Sequence, residues 1–305
     1  CLTRCRASGA FGESMRTKSS FRKQRRETRS NSTGLLTDEH DTSSILLDAG
    51  DTTSMLAMQE LVEKARSCTI EVQKGIIRVG LSRHLYSFEP RPMQVDAIWH
   101  LVFRKADLLL AAKTSFGKSV IFQATPLFCR GGIAIIIIPL DRIGKEQCIK
   151  IRRLPGATPV FVNGKTDKTA QLAYEIETGL YTHIIMGPEI AAGWFQSIAR
   201  DPSFKKRVSV VAIDELHLVA LWGNGIRPQY AQLSLFRQRL GGSIPWFGCS
   251  ATLDQKTLSI ARKMTGFHSE CEFFRSSVDR PEILLIVETI DRKSTRLNSS
   301  HPGYL

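Results

Sequence analysis

Paired cysteines are missing from this 305-residue chain: the seven present (1, 5, 68, 129, 148, 249 and 271) are scattered, with no Cys-x-x-Cys and no paired histidine. That pattern argues against a zinc site or a disulfide framework and fits a reducing compartment. Long apolar runs are missing too. The best, Ile133 to Leu140 and Val208 to Ile213, fall far short of the roughly 20 residues of a membrane span, so no membrane partner is expected. The opening Cys1-Leu2-Thr3-Arg4-Cys5-Arg6 has neither an initiator Met nor the apolar core of a secretory signal, and the true N-terminus is expected to lie outside this sequence. Acids are scarce at both ends. Residues 1 to 34 carry nine Lys or Arg against two acids, and residues 292 to 305 carry Arg292, Lys293 and Arg296, so most of the net charge of +13 sits on the tails. Such arms contact nucleic acid or act as nuclear import signals, with Arg22-Lys23-Gln24-Arg25-Arg26 the best candidate; a solvated disordered arm is the competing reading. A nuclear protein is expected, otherwise a cytoplasmic one.

What is present is a chain with enough apolar content, 42%, for a sizeable core. Residues 1–54 are rich in Ser, Thr, Arg and Asp and are expected to be a disordered basic arm. A helical lead-in is expected over 55–86, beginning with an amphipathic helix over 55–66 whose apolar positions are Leu56, Leu61, Val62 and Ala65. From Ser87 the pattern changes to short apolar runs separated by helix-length amphipathic segments. Strands are predicted at 108–112, 133–138, 159–162, 183–186, 208–213 and 246–249, with helices at 94–105, 118–128, 141–153, 167–178, 189–199, 229–239 and 254–265. The runs are nearly all apolar and do not alternate, which suits strands buried on both faces. Alternating strands and helices then imply an α/β fold, a mostly parallel sheet with helices on both faces. Ligands of such sheets bind beyond the carboxyl ends of the strands, so chemistry is sought just after each apolar run.

After the first run comes Ala112-Lys113-Thr114-Ser115-Phe116-Gly117-Lys118-Ser119. A phosphate loop needs backbone N–H groups at a helix N-terminus, a lysine for the β and γ phosphates and a hydroxyl for Mg²⁺, which Gly117, Lys118 and Ser119 supply. Ser115 and Phe116 stand where a positive φ is costly, on the order of 1–2 kcal/mol for a residue with a Cβ. After the fifth run comes Asp214-Glu215-Leu216-His217. Asp214 is placed to hold Mg²⁺ and Glu215 to orient or deprotonate an attacking water, on a strand expected to neighbour the one feeding the loop. After the sixth comes Ser250-Ala251-Thr252, read either as a hydroxyl relay or, for Thr252, as the cap of the following helix. Gln94, in Arg91-Pro92-Met93-Gln94, is placed to hydrogen-bond an adenine edge.

Taken in order, Arg91-Pro92-Met93-Gln94, Thr114 to Ser119, Pro139-Leu140, Gly187-Pro188-Glu189, Asp214-Glu215-Leu216-His217 and Ser250-Ala251-Thr252 resemble the superfamily 2 helicases of the DEAD/DEAH type, and more closely the RecQ family. Arg-Pro-x-Gln, the segment Ala220 to Tyr230 after the acidic box, and Val278-Asp279-Arg280-Pro281-Glu282-Ile283 carry the RecQ likeness. The resemblance implies a first RecA-like P-loop domain over 87–288 that binds ATP and Mg²⁺. Arg91, Gln94, Thr114, Ser115, Phe116, Gly117, Lys118 and Ser119 would hold the nucleotide. Ser119 and Asp214 would serve the metal, and Lys118, Asp214 and Glu215 the hydrolysis. His217, Ser250 and Thr252 would couple hydrolysis to DNA, while Trp222, Arg227 and Tyr230 fall in the family's aromatic-rich loop, which contacts single-stranded DNA. That loop usually reads Trp-Gly-His-Asp-Phe-Arg-Pro; here Asn224-Gly225-Ile226 replaces its His, Asp and Phe. The implied activity is that of a 3′ to 5′ DNA helicase in repair or recombination, once joined to a second RecA-like domain. Residues 289–305 are expected to be a truncated or artefactual tail, and the whole a fragment of a longer reading frame. A degenerate nucleic-acid-binding module and a DEAD-box RNA helicase stay open as alternatives.

Overall fold

The computed structural model describes residues 54–223, 225–268, 270–277, 283–284 and 286. The basic arm, Asn224, most of the 278–283 element and the 289–305 tail lie outside the described residues. Seven strands build one sheet: β1 Leu108–Ala111, β2 Ile133–Ile137, β3 Pro159–Val162, β4 His183–Met186, β5 Val208–Ile213, β6 Trp246–Ser250 and β7 Glu272–Arg275. The first six match the apolar runs to within one residue at either end. Their order across the sheet is β3-β4-β2-β5-β6-β1-β7, and every neighbouring pair is parallel. This is the expected α/β architecture, a RecA-like parallel sheet covered on both faces.

The helices are α1 Met55–Lys64, α2 Ile70–Val79, α3 Pro92–Trp99, α4 Lys118–Ala124, α5 Asp141–Ile151, α6 Ala170–Thr178, α7 Pro188–Ala192, α8 Phe195–Ile198, α9 Pro202–Arg207, α10 His217–Trp222, α11 Leu233–Leu240 and α12 Gln255–Thr265. Local chemistry sets several ends. Ser54, Thr169, Asp201 and Asp254 each accept a hydrogen bond from the third backbone N–H beyond them, which caps α1, α6, α9 and α12. Gly179 and Gly266 stop α6 and α12 in the left-handed conformation at φ 81° and 77°.

Successive strand residues feed two cores. Leu108, Leu110, Ala134, Ile136 and Phe247 pack on one face with the first five helices, while Leu109, Ile135, Ile137, Val211 and Trp246 pack on the other with the helices from α6 onward. The lead-in contributes Met58, Leu61, Val62, Ile76 and Ile77 to the first core. In α1 the inward positions include Met58 rather than Leu56, which is 54% exposed.

A buried polar chain stitches the first core. Gln123 of α4 donates from Nε2 to Gln147 Oε1 of α5 at 2.6 Å, accepts at Oε1 from the Tyr86 hydroxyl at 3.1 Å, and accepts at its carbonyl from His183 Nε2 at 2.8 Å. Because a carbonyl only accepts, Nε2 carries the ring proton. Nδ1, 2.8 Å from the Thr182 hydroxyl, is then the acceptor of a neutral imidazole. Burial holds the His183 ring down at about 4.

The folded state thus favours the neutral ring, while the unfolded chain protonates near its ordinary value of about 6.5. His183 should contribute stability that is fully present above about pH 6.5 and lost as pH falls toward about 4, on the order of 3 kcal/mol in all. Urea unfolding across that window should show the loss in the wild type and a flatter profile in His183→Gln; equal slopes would refute it.

Candidate functional site

The loops that carry the candidate residues all leave the carboxyl edge of the sheet. Backbone bonds past the last strand pairs fix their starts. Ala112 N–H donates to Ser250 O at 3.0 Å, Asp214 N–H to Ile137 O at 3.0 Å and Leu216 N–H to Cys249 O at 2.9 Å. The loops after β1, β2, β5 and β6 are therefore registered on one another by main chain alone.

In the loop after β1, Phe116 N–H closes a turn on Lys113 O at 3.1 Å, and two residues take left-handed backbone, Ser115 at φ 70° and Gly117 at φ 85°. The costly position is therefore Ser115. Phe116 has ordinary φ, is 7% exposed and packs in the first core, so its bulk does not enter the phosphate loop. The Arg91 guanidinium lies 5.6 Å from its ring centroid. Gln94, 2% exposed, spans helix and loop. Its Oε1 accepts from Arg91 N–H at 2.8 Å while Nε2 donates to Phe116 O at 3.1 Å and Gly117 O at 3.2 Å. Gln94 thus pins the loop to α3, with both amide protons committed there rather than offered to a base. Lys118 Nζ folds back onto Ala112 O at 3.0 Å and Lys113 O at 3.3 Å, and Thr114 and Ser115 are exposed at the loop tip. Ser119 follows Lys118 in the first turn of α4.

The acid pair leaves β5. One strand, β6, lies between β5 and β1, so the pair is not on the neighbouring strand as expected from sequence. At about 4.8 Å per strand the two loops start roughly 10 Å apart, a gap that a phosphate chain can span. Glu215 takes left-handed backbone at φ 51°, and its N–H donates to Asp214 Oδ1 at 3.0 Å. The two carboxyls are driven apart electrostatically. Burial, reinforced by the Glu215 charge, pushes Asp214 up, while the His217 hydrogen bond holds Glu215 below the usual range. The Lys118 ammonium acts on both in the lowering sense, so it lies within their electrostatic reach. The Cys249 thiol donates to Asp214 Oδ1 at 3.5 Å, a contact that nothing in the sequence signals.

From the acids a polar chain runs outward. His217 Nδ1 lies 3.3 Å from Glu215 Oε2 and 2.7 Å from Ser250 Oγ. Ser250 Oγ accepts from Thr252 N–H at 3.1 Å and donates to Thr252 O at 3.2 Å. Thr252 does not cap α12; Asp254 does, accepting from Thr257 N–H at 2.9 Å. Thr252 instead lines a cleft of about 740 Å³ with Lys113, Thr114, Asp254 and Arg275. Arg275, from the unforeseen strand β7, is a cation at this cleft that the sequence did not single out.

The loop around α10 departs from expectation. Tyr230, read equally as a DNA contact or as packing under the loop, is 1% exposed and packs in the second core, so its ring cannot stack on a base. Trp222 is half-buried, with the Arg227 guanidinium 5.6 Å from its ring centroid. Arg227 ties three loops: Nε is 3.3 Å from Glu189 Oε1, Nη1 donates to Pro139 O, and its backbone N–H donates to Trp222 O at 2.8 Å. The exposed apolar groups there are Leu221 and Ile226.

Among the described residues no three His, Cys, Asp or Glu side chains cluster as metal ligands. A transition-metal cage is therefore not what these residues fit. Mg²⁺ is different, because it keeps several waters and needs only one or two carboxylates plus phosphate oxygens. Asp214, half-buried at the carboxyl edge, with Ser119 in the first turn of α4, suits that sparse donor set.

A family model described as DEAD/DEAH box helicase matches residues 91–260, more than half of the chain and all of the loops above. The chain belongs to the DEAD/DEAH box helicases. Among its relatives in this family, the ATP-dependent DNA helicase Q1 of Rattus norvegicus is 28% identical over 63% of this chain and 31% of its own length. The ATP-dependent DNA helicase RecQ of Synechocystis is 27% identical over 61% and 39%. An Acanthamoeba polyphaga mimivirus protein named as an ATP-dependent RNA helicase is 28% identical over 68% and 37%. The chain spans about a third of the length of these curated relatives. Two solved structures share the fold. The DUF1998 helicase MrfA bound to DNA has a TM-score of 0.50 at 16% identity, covering 65% of this chain and 28% of its own. Mss116p bound to single-stranded RNA and AMP-PNP has 0.50 at 21%, covering 72% and 44%.

The contact between Gln94 and the helicase loop yields a test. A Cβ on Gly117 would sit 2.5 Å from Gln94 Nε2 at a φ of 85°. Gly117→Ala should cost about 1–2 kcal/mol for the left-handed backbone, plus the broken Gln94 tie. In a Gln94→Ala background only the backbone cost remains, so the double mutant should fall short of additivity by about 1 kcal/mol in denaturant unfolding. Strict additivity would remove Gln94 as the restraint.

Proposed function

We propose that this chain is the first RecA-like, ATP-binding domain of a RecQ-like DNA helicase, which converts ATP hydrolysis into movement along single-stranded DNA when joined to a second RecA-like domain. The observation that supports this best is the unbroken polar chain Glu215–His217–Ser250–Thr252, which links the candidate catalytic acid to a cleft at the sheet edge.

In this reading the backbone N–H groups from Thr114 to Ser119 cradle the phosphates at the start of α4. Lys118 exchanges its loop carbonyls for the β and γ phosphates as they arrive, so the ammonium has acceptors before and after the exchange. Ser119 and Asp214 would hold Mg²⁺, which would supply charge neutralisation on the transferred phosphoryl group. Glu215, kept ionised by His217, orients a water and takes its proton as the water oxygen bonds to the γ phosphorus and the bond to the β-phosphate oxygen breaks. The products are ADP and phosphate. His217 then feels the change in charge at Glu215 and passes it to Ser250 and Thr252. Gln94 acts here by holding the loop in shape, and adenine contact requires that one of its amide protons be released from Phe116 or Gly117. An arginine from the second domain would complete the phosphate site, in line with the ~10³–10⁵ such a residue supplies in related chemistry.

RNA as the tracked strand is the second reading. The mimivirus relative's name favours it, as does Ile226 where RecQ loops carry a stacking Phe.

Glu215→Gln should leave ATP binding within about threefold and lower hydrolysis by roughly 10²–10⁴, whereas Lys118→Ala should weaken binding itself. Hydrolysis by the full 305-residue chain should be slow, and stimulated more by single-stranded DNA than by RNA of the same length. Equal rates in wild type and both variants would leave a nucleic-acid-binding module without ATPase; greater stimulation by RNA would select the RNA reading.

A further inference from the structure

The amino-terminal edge of the sheet, opposite the helicase site, carries a second cleft of about 290 Å³ between the segments that enter β1, β2, β5 and β6. Six of its lining residues are cationic: Arg66, Lys105, Arg130, Lys205, Lys206 and Arg207. One carboxylate, Glu63, lines it, and Arg66 takes both its oxygens at 2.6 and 2.9 Å. That bond is the main reason the Glu63 carboxyl is held below its usual range, and Lys105 adds to it. Among the described residues no ion pair engages Lys105, Arg130, Lys205 or Lys206.

A parallel α/β sheet directs helix C-termini to this edge, and cations offset helix dipoles there. The magnitude is too small to account for the cluster. Each helix end carries roughly −0.5 charge, and the effect fades within one turn. A helical turn His100–Arg104 extends α3 and another, Thr125–Phe128, extends α4; with the ends of α1 at Lys64 and α9 at Arg207 the four sum to about −2, against five cations left over once Arg66 is paired.

Two details mark a built site rather than a fringe of surface charge. Arg207 donates from Nη1 to Thr178 O at 2.6 Å, which fixes its guanidinium, yet its Nε is shielded from solvent and has no hydrogen-bond partner. A guanidinium already held in place loses less conformational freedom when an anion binds beside it. Lys105 holds left-handed backbone at φ 50°, where glycine would be relaxed, and so a lysine is kept at a strained turn on the cleft rim.

We propose that this cleft is a second phosphate-binding site, taking an anion of one or two phosphate groups at the edge of the domain remote from the nucleotide loop. Guanidinium and ammonium groups from four separate segments match the several oxygens of a phosphate better than a single carboxylate. The small volume suits one or two phosphates rather than a nucleoside. The phosphates come either from the backbone of a nucleic acid passing beneath the domain or from a free polyphosphate.

Inorganic pyrophosphate is the probe. Isothermal titration into the full 305-residue chain carrying Lys118→Ala, which disables the nucleotide loop, should show binding that weakens as salt is raised. Adding Arg130→Ala and Lys206→Ala, both at exposed positions, should weaken it about tenfold or more, whereas adding Lys145→Ala and Lys150→Ala on α5 should leave it unchanged. Displacement of bound pyrophosphate by a short single-stranded oligonucleotide assigns the site to a nucleic-acid backbone; no displacement assigns it to the free anion. Absence of binding, or equal loss in both pairs of substitutions, overturns the proposal.

Discussion

Main-chain hydrogen bonds that continue the sheet past its last paired residues set where the loops of the helicase site begin. Ala112 reaches Ser250, Asp214 reaches Ile137, Leu216 reaches Cys249, and Ser276 N–H reaches Ala111 O at 2.8 Å. Each joins the first residues of one loop to the strand end beside it. In a parallel sheet all these exits share one edge, so the loops after β1, β2, β5, β6 and β7 start from a common registered line. Side-chain contacts such as His217 to Ser250 are then short because the main chain has already brought β5 and β6 into register, with Ile213 opposite Gly248.

That rigid line allows strain to be held just beyond it. Ser115 and Glu215, both non-glycine residues in left-handed backbone, sit three residues or fewer past the extended bonds of Ala112 and Asp214. Each is followed by a buried anchor, Phe116 in one core and Leu216 in the other. The anchors offset a backbone cost on the order of 1–2 kcal/mol per residue. The consequence at the acid pair is a turn that sends Asp214 inward and Glu215 toward His217. Two adjacent carboxyls thereby acquire different environments, one pushed up by burial and one held down by a hydrogen bond. The pair is thereby divided, with Glu215 the member held ionised beside His217 and Asp214 the member whose charge burial disfavours.

Strand positions were legible in the sequence because the runs are nearly all apolar and do not alternate, the pattern that burial on both faces requires. β7 escaped notice for the opposite reason. Glu272-Phe273-Phe274-Arg275 is an edge strand with exposed charged ends, and four residues give no periodicity. Sheet order leaves no local trace at all, which is why β5 was taken as the neighbour of β1 when β6 separates them. The same limit governs side chains. Residue types announced a phosphate loop, an acid pair and a hydroxyl segment, but not that Gln94 commits its amide to Phe116 and Gly117, or that Tyr230 faces the core. Those outcomes depend on which elements pack together, and neither residue's near neighbours in sequence encode that.

Parallel topology also explains why one domain presents two unlike polar edges. Helix N-termini, and with them the positive ends of the helix dipoles, gather at the carboxyl edge, where the phosphate loop enters α4. At that edge the charged side chains are mixed: Lys118 and Arg227 stand among Asp214, Glu215 and Glu189, which leaves the fixed dipoles to favour an incoming anion. At the opposite edge the dipoles are negative, and phosphate affinity there must come from side chains that overcompensate them. The cations of the second cleft do so with Glu63 as the single lining carboxylate. Backbone N–H groups do not titrate and meet phosphate in short, direct hydrogen bonds, whereas exposed lysines and arginines act at longer range and are screened within about a Debye length. The two edges should therefore part company as ionic strength rises, the loop at α4 keeping its hold on phosphate under conditions that empty the cleft beneath.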